Sequence, residues 1–184
     1  AQITARVNEF KARLVEWRGY STKFVEQLVE RRMVGICEGR LAFPIYAGGK
    51  VIGTHQRTKD SWLIRGGEGS PWVIGSHFEN VIIFESQWDA FALMDAIKWF
   101  DTPAFAATCS IVITRGAAKG KSIKNLFPTG GRITVWMQND KPDAKGNVAS
   151  EKWLADVVSV CRRVHVCRPP DQYKDLNDWR SVGL

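Results

Sequence analysis

Two apolar segments of this chain each deliver a carboxylate just beyond their ends. Val81-Ile82-Ile83-Phe84 runs into Glu85, and Ile133-Thr134-Val135-Trp136-Met137 is followed shortly by Asp140. Asp89 stands four residues after Glu85, in the first turn of the helix expected there, where it can face the same site. Hard divalent cations such as magnesium take oxygen ligands, and one or two protein carboxylates suffice when waters and phosphates complete the shell. Carboxylates at the ends of separate strands therefore point to a divalent-metal site. A single acid at a helix start has a simpler reading, as a solvated residue favoured by the helix dipole.

The charge distribution suggests what such a metal would act on. Lys and Arg number 26 against 19 acids, a formal charge of +7 over 184 residues. Gly39 to Lys59 contains no acid but holds Arg40, Lys50, Arg57 and Lys59. Thr102 to Asn139 is also free of acids, and carries Arg115, Lys119, Lys121, Lys124 and Arg132. The acids gather instead at Glu85, Asp89, Asp140, Asp143, Asp171, Asp175 and Asp178. Basic tracts beside an acid cluster fit a polyanion whose phosphates are handled by metal, or else a basic solvated face.

The elements that must position these residues follow from periodicity. Ile3, Val7, Phe10 and Leu14 form one stripe of an amphipathic helix over Ile3 to Trp17, and Ser21 can cap a second helix. Two β-prone runs flank Gly48-Gly49, as a hairpin turn with positive φ requires. Trp62-Leu63-Ile64 and Trp72-Val73-Ile74 read as further strands of the same small antiparallel sheet. From Asn80 onward, strands alternate with helices. A helix is expected over Gln87 to Phe100, an apolar segment at Cys109 to Thr114, and a short helix near Ser122 to Phe127. A strand at Ile133 to Met137, a helix at Ser150 to Val160 and a strand at Val164 to Cys167 complete the order. Such alternation implies a largely parallel sheet, with ligands at the carboxyl ends of its strands. The fold class is α/β (α+β overall). Residues 1–78 form a helical and small-sheet basic subdomain, and residues 79–184 the metal-binding domain.

Other motifs carry less. Gly116 to Ser122 (GAAKGKS) imitates a phosphate-binding P-loop but has three residues between its glycines where four are needed. Lys119 and Lys121 could still serve a basic loop meeting phosphate at a helix start. Cys161, His165 and Cys167 share one face of a strand, which strand alternation explains better than zinc. Trp62 or Trp72 could stack a base, although core packing is the commoner use of tryptophan. The apolar runs are too short to span a membrane, and the N-terminus lacks a signal-peptide core. Four cysteines without CxxC spacing suit reduced thiols, and the expectation is a cytoplasmic protein.

VIIFESQWDAFAL resembles the strand-Glu-helix motif of the TOPRIM fold, and ITVWMQND resembles its second strand, which usually ends in Asp-x-Asp. GRLAFPIYAGGKVIGTHQR resembles the basic segment that precedes TOPRIM in bacterial-type (DnaG-like) primases, with phage and mobile-element primases the most similar. The resemblance extends over Gly35 to Asp178. It implies template-directed synthesis of short RNA primers on single-stranded DNA from nucleoside triphosphates, with Mg2+ or Mn2+. Glu85 matches the TOPRIM glutamate, Asp89 the second acid of that motif, and Asp140 the second Asp of the pair. Gln138 replaces the first Asp, so one metal site should be weaker or differently built, with Asp143 able to compensate. KDLND resembles a later acidic motif and makes Asp175 a further candidate ligand, Asp178 less so. Arg40 and Arg57 match basic positions of the family, with Lys50 next, as nucleic-acid or nucleotide contacts. A zinc-binding module and a replicative helicase, in the same or a separate chain, are the implied partners. Two rivals share parts of this pattern: a TOPRIM nuclease or topoisomerase-like enzyme, and a non-catalytic nucleic-acid-binding module.

Overall fold

The computed structural model describes residues 7–58, 61–127 and 131–182; Ile3 and Lys59 fall outside them. The chain divides into two units, Ala1–Ser70 and Pro71–Leu184.

In the first unit, helices α1 (Val7–Arg18) and α2 (Thr22–Glu30) precede strands β1 (Gly35–Cys37), β2 (Arg40–Ala47), β3 (Lys50–Arg57) and β4 (Trp62–Arg65). Phe10 and Leu14 of the expected stripe are buried, with Phe24, Val25 and Leu28 of α2. Ser21 caps α2 as its position suggests, its Oγ accepting from the Phe24 amide at 3.2 Å. The four strands form an antiparallel sheet in sequence order. Gly48 and Gly49 turn the β2–β3 hairpin with φ of 55° and 75°, a backbone that other residues rarely adopt.

The second unit holds strands β5 (Trp72–Ile74), β6 (Asn80–Phe84), β7 (Cys109–Ile113), β8 (Arg132–Trp136) and β9 (Val164–Cys167). Its helices are α3 (Gln87–Ala96), α4 (Pro103–Ala106), α5 (Ala149–Val160) and α6 (Leu176–Arg180). The sheet order is β5-β7-β6-β8-β9, with β5 antiparallel and the other four parallel. Trp72–Ile74 thus joins this sheet instead of the small one, because its partner is the distant segment Ile111–Ile113. The helix expected to reach Phe100 ends at Ala96, and Lys98 turns with φ 51° into a 3-10 turn at Trp99–Asp101.

Chain connections leave β6 and β8 in opposite directions, β6 through α3 to β7 and β8 through α5 to β9. Right-handed crossovers then put α3 and α5 on opposite faces of the sheet. Packing agrees. Val81, Ile83, Val112, Ile133 and Val135 line one face with Trp153 and Val157 of α5. The opposite face carries Trp72, Ile113 and Phe84, and the Trp72 ring meets Phe91 of α3 at 5.8 Å. Burial on both faces explains why Val81–Phe84 reads as a continuous apolar run.

Candidate metal centre

Where neighbouring parallel strands send their connections apart, a crevice opens at the carboxyl edge, and ligands bind there. In this sheet the reversal lies between β6 and β8. Those are the strands that end beside Glu85 and Asp140. The Glu85 backbone is fixed from the β7 side, since the Gly116 amide donates to the Glu85 carbonyl at 3.0 Å. Thr114 does the same to Phe84 at 2.9 Å. Asp140 is fixed by its neighbour Asn139, whose amide donates to the Lys174 carbonyl at 2.6 Å. The Asn139 Nδ2 donates to the carbonyls of Pro169 and Tyr173 at 3.1 and 2.9 Å, tying the segment after β9 to the end of β8.

A cleft of about 1370 Å³ opens over this edge, lined among others by Glu85, Gln138, Asp140, Lys141, Lys152 and Lys174. Glu85 Oε2 is buried and accepts no hydrogen bond among the described residues. Burial, together with the charges of Asp140 and Asp89, raises the Glu85 pKa to about 7, while Lys174 acts to lower it. Lys174 Nζ lies 3.8 Å from Asp140 Oδ1. A buried carboxylate oxygen without a donor, beside a second carboxylate, is a donor set that fits a hard divalent cation. Glu85 and Asp140 would be its protein ligands. No group of three or more His, Cys, Asp or Glu side chains able to hold a metal occurs among the described residues. Two carboxylates are the small protein share that a magnesium ion would take, with waters and phosphates filling the other positions.

Asp89 has a different environment. It is 4% exposed, and its carboxylate is met on both oxygens. Oδ2 accepts from Ser86 Oγ at 2.9 Å and from Gln138 Nε2 at 2.7 Å, while Oδ1 accepts from the Leu176 amide at 3.1 Å. Burial and the charge of Asp175 raise its pKa to about 6, against the lowering effect of hydrogen bonds from Gln138, Ser86 and the Asn177 backbone. Asp89 thus ties the starts of α3 and α6 to the end of β8. The same contact accounts for Gln138. An amide supplies the proton that Asp89 accepts, whereas a carboxylate there would face another carboxylate in a buried place.

The remaining expected ligands hold local structure. Asp143 Oδ1 accepts from the Lys145 and Asn147 amides at 2.8 and 2.9 Å, closing an exposed turn on the cleft rim. The backbone and side-chain hydrogen bonds from Asn147 hold the Asp143 pKa below the usual carboxylate range. Asp175 caps α6, its Oδ1 accepting from the Asp178 amide at 2.9 Å.

The P-loop-like segment is a 3-10 turn over Ala117–Ile123, not the start of an α-helix. Gly120 is needed for packing, since a Cβ there would stand 2.7 Å from Asp156 Cβ and 2.8 Å from the Trp153 carbonyl oxygen. Lys121 pairs with Asp156 of α5 at 3.4 Å, and Lys119 is exposed. In the first unit, Arg40 lies 3.6 Å from Glu38, which also approaches Arg65 at 4.0 Å. Arg57 donates to the Ser61 carbonyl at 3.1 Å and lies 5.5 Å from the Trp62 ring centroid, while Lys50 is exposed beside the hairpin turn. Trp62 also stacks on His55 at 4.4 Å, and Trp72 is buried.

Sequence reasoning missed Lys174 and Asn139. Their signals were adjacency alone: Asn139 precedes Asp140 directly, and Lys174 precedes Asp175 in KDLND.

No protein-family model matches the sequence, and no curated protein sequence matches it. Among solved structures, the chain is similar to the crystal structure of the primase fragment of the bacteriophage T7 primase-helicase protein. The TM-score is 0.64 at 16% sequence identity, over 91% of this chain and 68% of that one. The chain therefore has a primase-like α/β fold. No helix among the described residues is long and apolar enough to cross a membrane.

Proposed function

We propose that this chain is the catalytic core of a DNA primase, which joins nucleoside triphosphates into short RNA primers on single-stranded DNA. The observation that carries the reading is the pair Glu85 and Asp140 at the strand-order reversal, with Glu85 Oε2 buried and unmet by any donor among the described residues. The primase-like fold supports it.

In this reading Glu85 and Asp140 hold Mg2+ or Mn2+. An ion held there would supply charge stabilisation for the attacking 3′-oxygen and the departing pyrophosphate. Lys141 and Lys152, which line the same cleft, meet the phosphates of the incoming nucleotide. Asp89 does not touch the substrate; it positions Gln138 and the start of α6. Arg40, Lys50 and Arg57 supply the electrostatic grip on template DNA, and Lys119 adds to it. A zinc-binding module and a replicative helicase, in the same or a separate chain, would provide template choice and delivery.

The test is incubation with single-stranded DNA, labelled nucleoside triphosphates and Mg2+ or Mn2+, for the parent and Glu85→Gln. Short RNA products from the parent alone support the primase. Shortened DNA assigns the site to a nuclease. Salt-sensitive DNA binding without either product assigns a non-catalytic binding module. That last reading has its own support in Gln138, which replaces one of the acids expected of a polymerising site.

A further inference from the structure

The segment after β9 returns to the carboxyl edge of the sheet and is fastened there at its backbone. Asn139 N donates to the Lys174 carbonyl at 2.6 Å, and Asn139 Nδ2 holds the carbonyl of Tyr173 at 2.9 Å. The Lys174 main chain is thus clamped beside Asp140. Its side chain is not clamped: it is 62% exposed, and its one ion pair among the described residues, with Asp140 Oδ1 at 3.8 Å, is long. Asp140 itself is only 18% exposed. A pair this long, with its lysine mostly exposed, contributes little to stability. It places a positive charge against two carboxylates that would otherwise repel each other, at little cost when it opens.

We infer that Lys174 is a tethered counter-ion of the Glu85–Asp140 pair, yielding that place to a divalent cation and then meeting the phosphates of a nucleoside triphosphate in the same cleft. The inference rests on the metal-dependent reading above. Its physical basis is competition between cations. An ammonium beside the carboxylates opposes a divalent ion by like-charge repulsion and by occupying Asp140. Once swung aside, the same ammonium stays within reach of the cleft, because its backbone cannot leave. A lysine suits this use, being a compact point charge on a flexible stem with three donors. The arrangement couples the two ligands. Metal without nucleotide binds weakly, since it must displace Lys174. Metal with a triphosphate binds well, because the displaced ammonium finds a new partner.

The test uses the whole chain and two calorimetric titrations, Mn2+ alone and then α,β-methylene ATP at saturating Mn2+. The analogue cannot be incorporated, so neither titration depends on turnover. Lys174→Met should bind Mn2+ alone roughly tenfold more tightly than the parent, the size expected for removing a unit charge a few ångströms from a divalent ion. It should bind the analogue roughly tenfold more weakly. Lys174→Arg, which keeps the charge, should stay near the parent for Mn2+. A Lys174→Met protein with unchanged or weaker Mn2+ affinity would overturn the counter-ion role. Unchanged analogue affinity would overturn the phosphate role. Glu85→Gln separates these from failure of the underlying reading: if it binds Mn2+ as well as the parent does, no ion sits at Glu85 and both ideas fall. Lys174 is a surface residue, so the two Lys174 variants are expected to melt as the parent does.

Discussion

Glu85 and Asp89 are both acids at the carboxyl end of β6, and burial raises the pKa of both, yet their surroundings differ sharply. Asp89 lies behind the cleft with three donors on its two oxygens. Glu85 lies in the cleft with one oxygen buried and without a donor among the described residues. A carboxylate with a full set of donors holds a fold together, and its charge is spent on that task. One without donors costs stability and persists where a ligand repays the cost. The perturbed titration alone does not separate these roles; the hydrogen-bond inventory does.

The largest effect that tests this contrast is on chemistry. If the proposed function holds, Glu85→Gln should lower nucleotide incorporation by orders of magnitude, since an ion held at Glu85 would lower the barrier by several kcal/mol. The same variant should melt at or above the parental temperature, because a charge without a donor has been removed. Parental incorporation rates by Glu85→Gln would end the proposed mechanism, and unfolding would make Glu85 structural.

Asp89→Ala should do the reverse to stability. It strands the Ser86 hydroxyl, the Gln138 amide and the Leu176 amide, at a cost of about 2–4 kcal/mol in a urea melt. Equal melts for Glu85→Gln and Asp89→Ala would erase the distinction.

The pH dependence follows from the direction of both shifts. Glu85 rises from 4.5 to about 7 and Asp89 from 3.8 to about 6. The native state therefore holds protons that the unfolded chain releases, so stability falls as pH rises from about 4 to about 7 and then levels off. For Glu85 the upper bound on this loss is of the order of 3 kcal/mol. Urea melts at pH 5 and pH 8 should show a metal-free parent less stable at pH 8. Glu85→Gln should lose the Glu85 part of that slope. A parent more stable at pH 8 than at pH 5 would contradict both shifts.

The smallest expected effect is that of Gln138→Asp. An acid at this position was expected to strengthen metal binding, but the structure gives the side chain a prior duty as donor to Asp89. Replacing that donor with a carboxylate should cost about 1–3 kcal/mol at pH 7.5, and less at pH 5, where Asp89 takes up a proton. Equal urea midpoints for variant and parent at pH 7.5 would show that the Gln138–Asp89 contact contributes nothing.

Local signals carried much of this architecture. The Ser21 cap, the Gly48-Gly49 turn and the strands ending at Glu85 and near Asp140 are each written in a few adjacent residues, and each is present. Partner choice is not local. The triplet Trp72–Ile74 has the same composition whichever sheet it joins, and only Ile111–Ile113 settles the matter. The short helix expected near Ser122 to Phe127 is instead a 3-10 turn over Ala117–Ile123, where Gly120 packs closely against α5. The site was legible as residue types and not as roles. Spacing brought Asp89 to the right end of the strand but could not say whether donors would meet it. Lys174 was invisible because the clamp that brings it to Asp140 holds its main-chain carbonyl and not its side chain.

The central position of β6 has a consequence for how the molecule is made. Emerging from the ribosome, β6, α3 and β7 can close on one another while the far edge of β6 stays open. β8, which pairs as Asn80↔Arg132 through Phe84↔Trp136, has yet to be synthesised. During that interval an apolar strand presents unpaired amides and carbonyls, the kind of edge on which nascent chains aggregate. Arrival of β8 seals that edge of β6, and Asp140 is fixed later, when the segment after β9 reaches Asn139. A chain stalled before β8 is therefore open along β6 and lacks the carboxylate pair, and the cleft is complete only after Lys174 has been made.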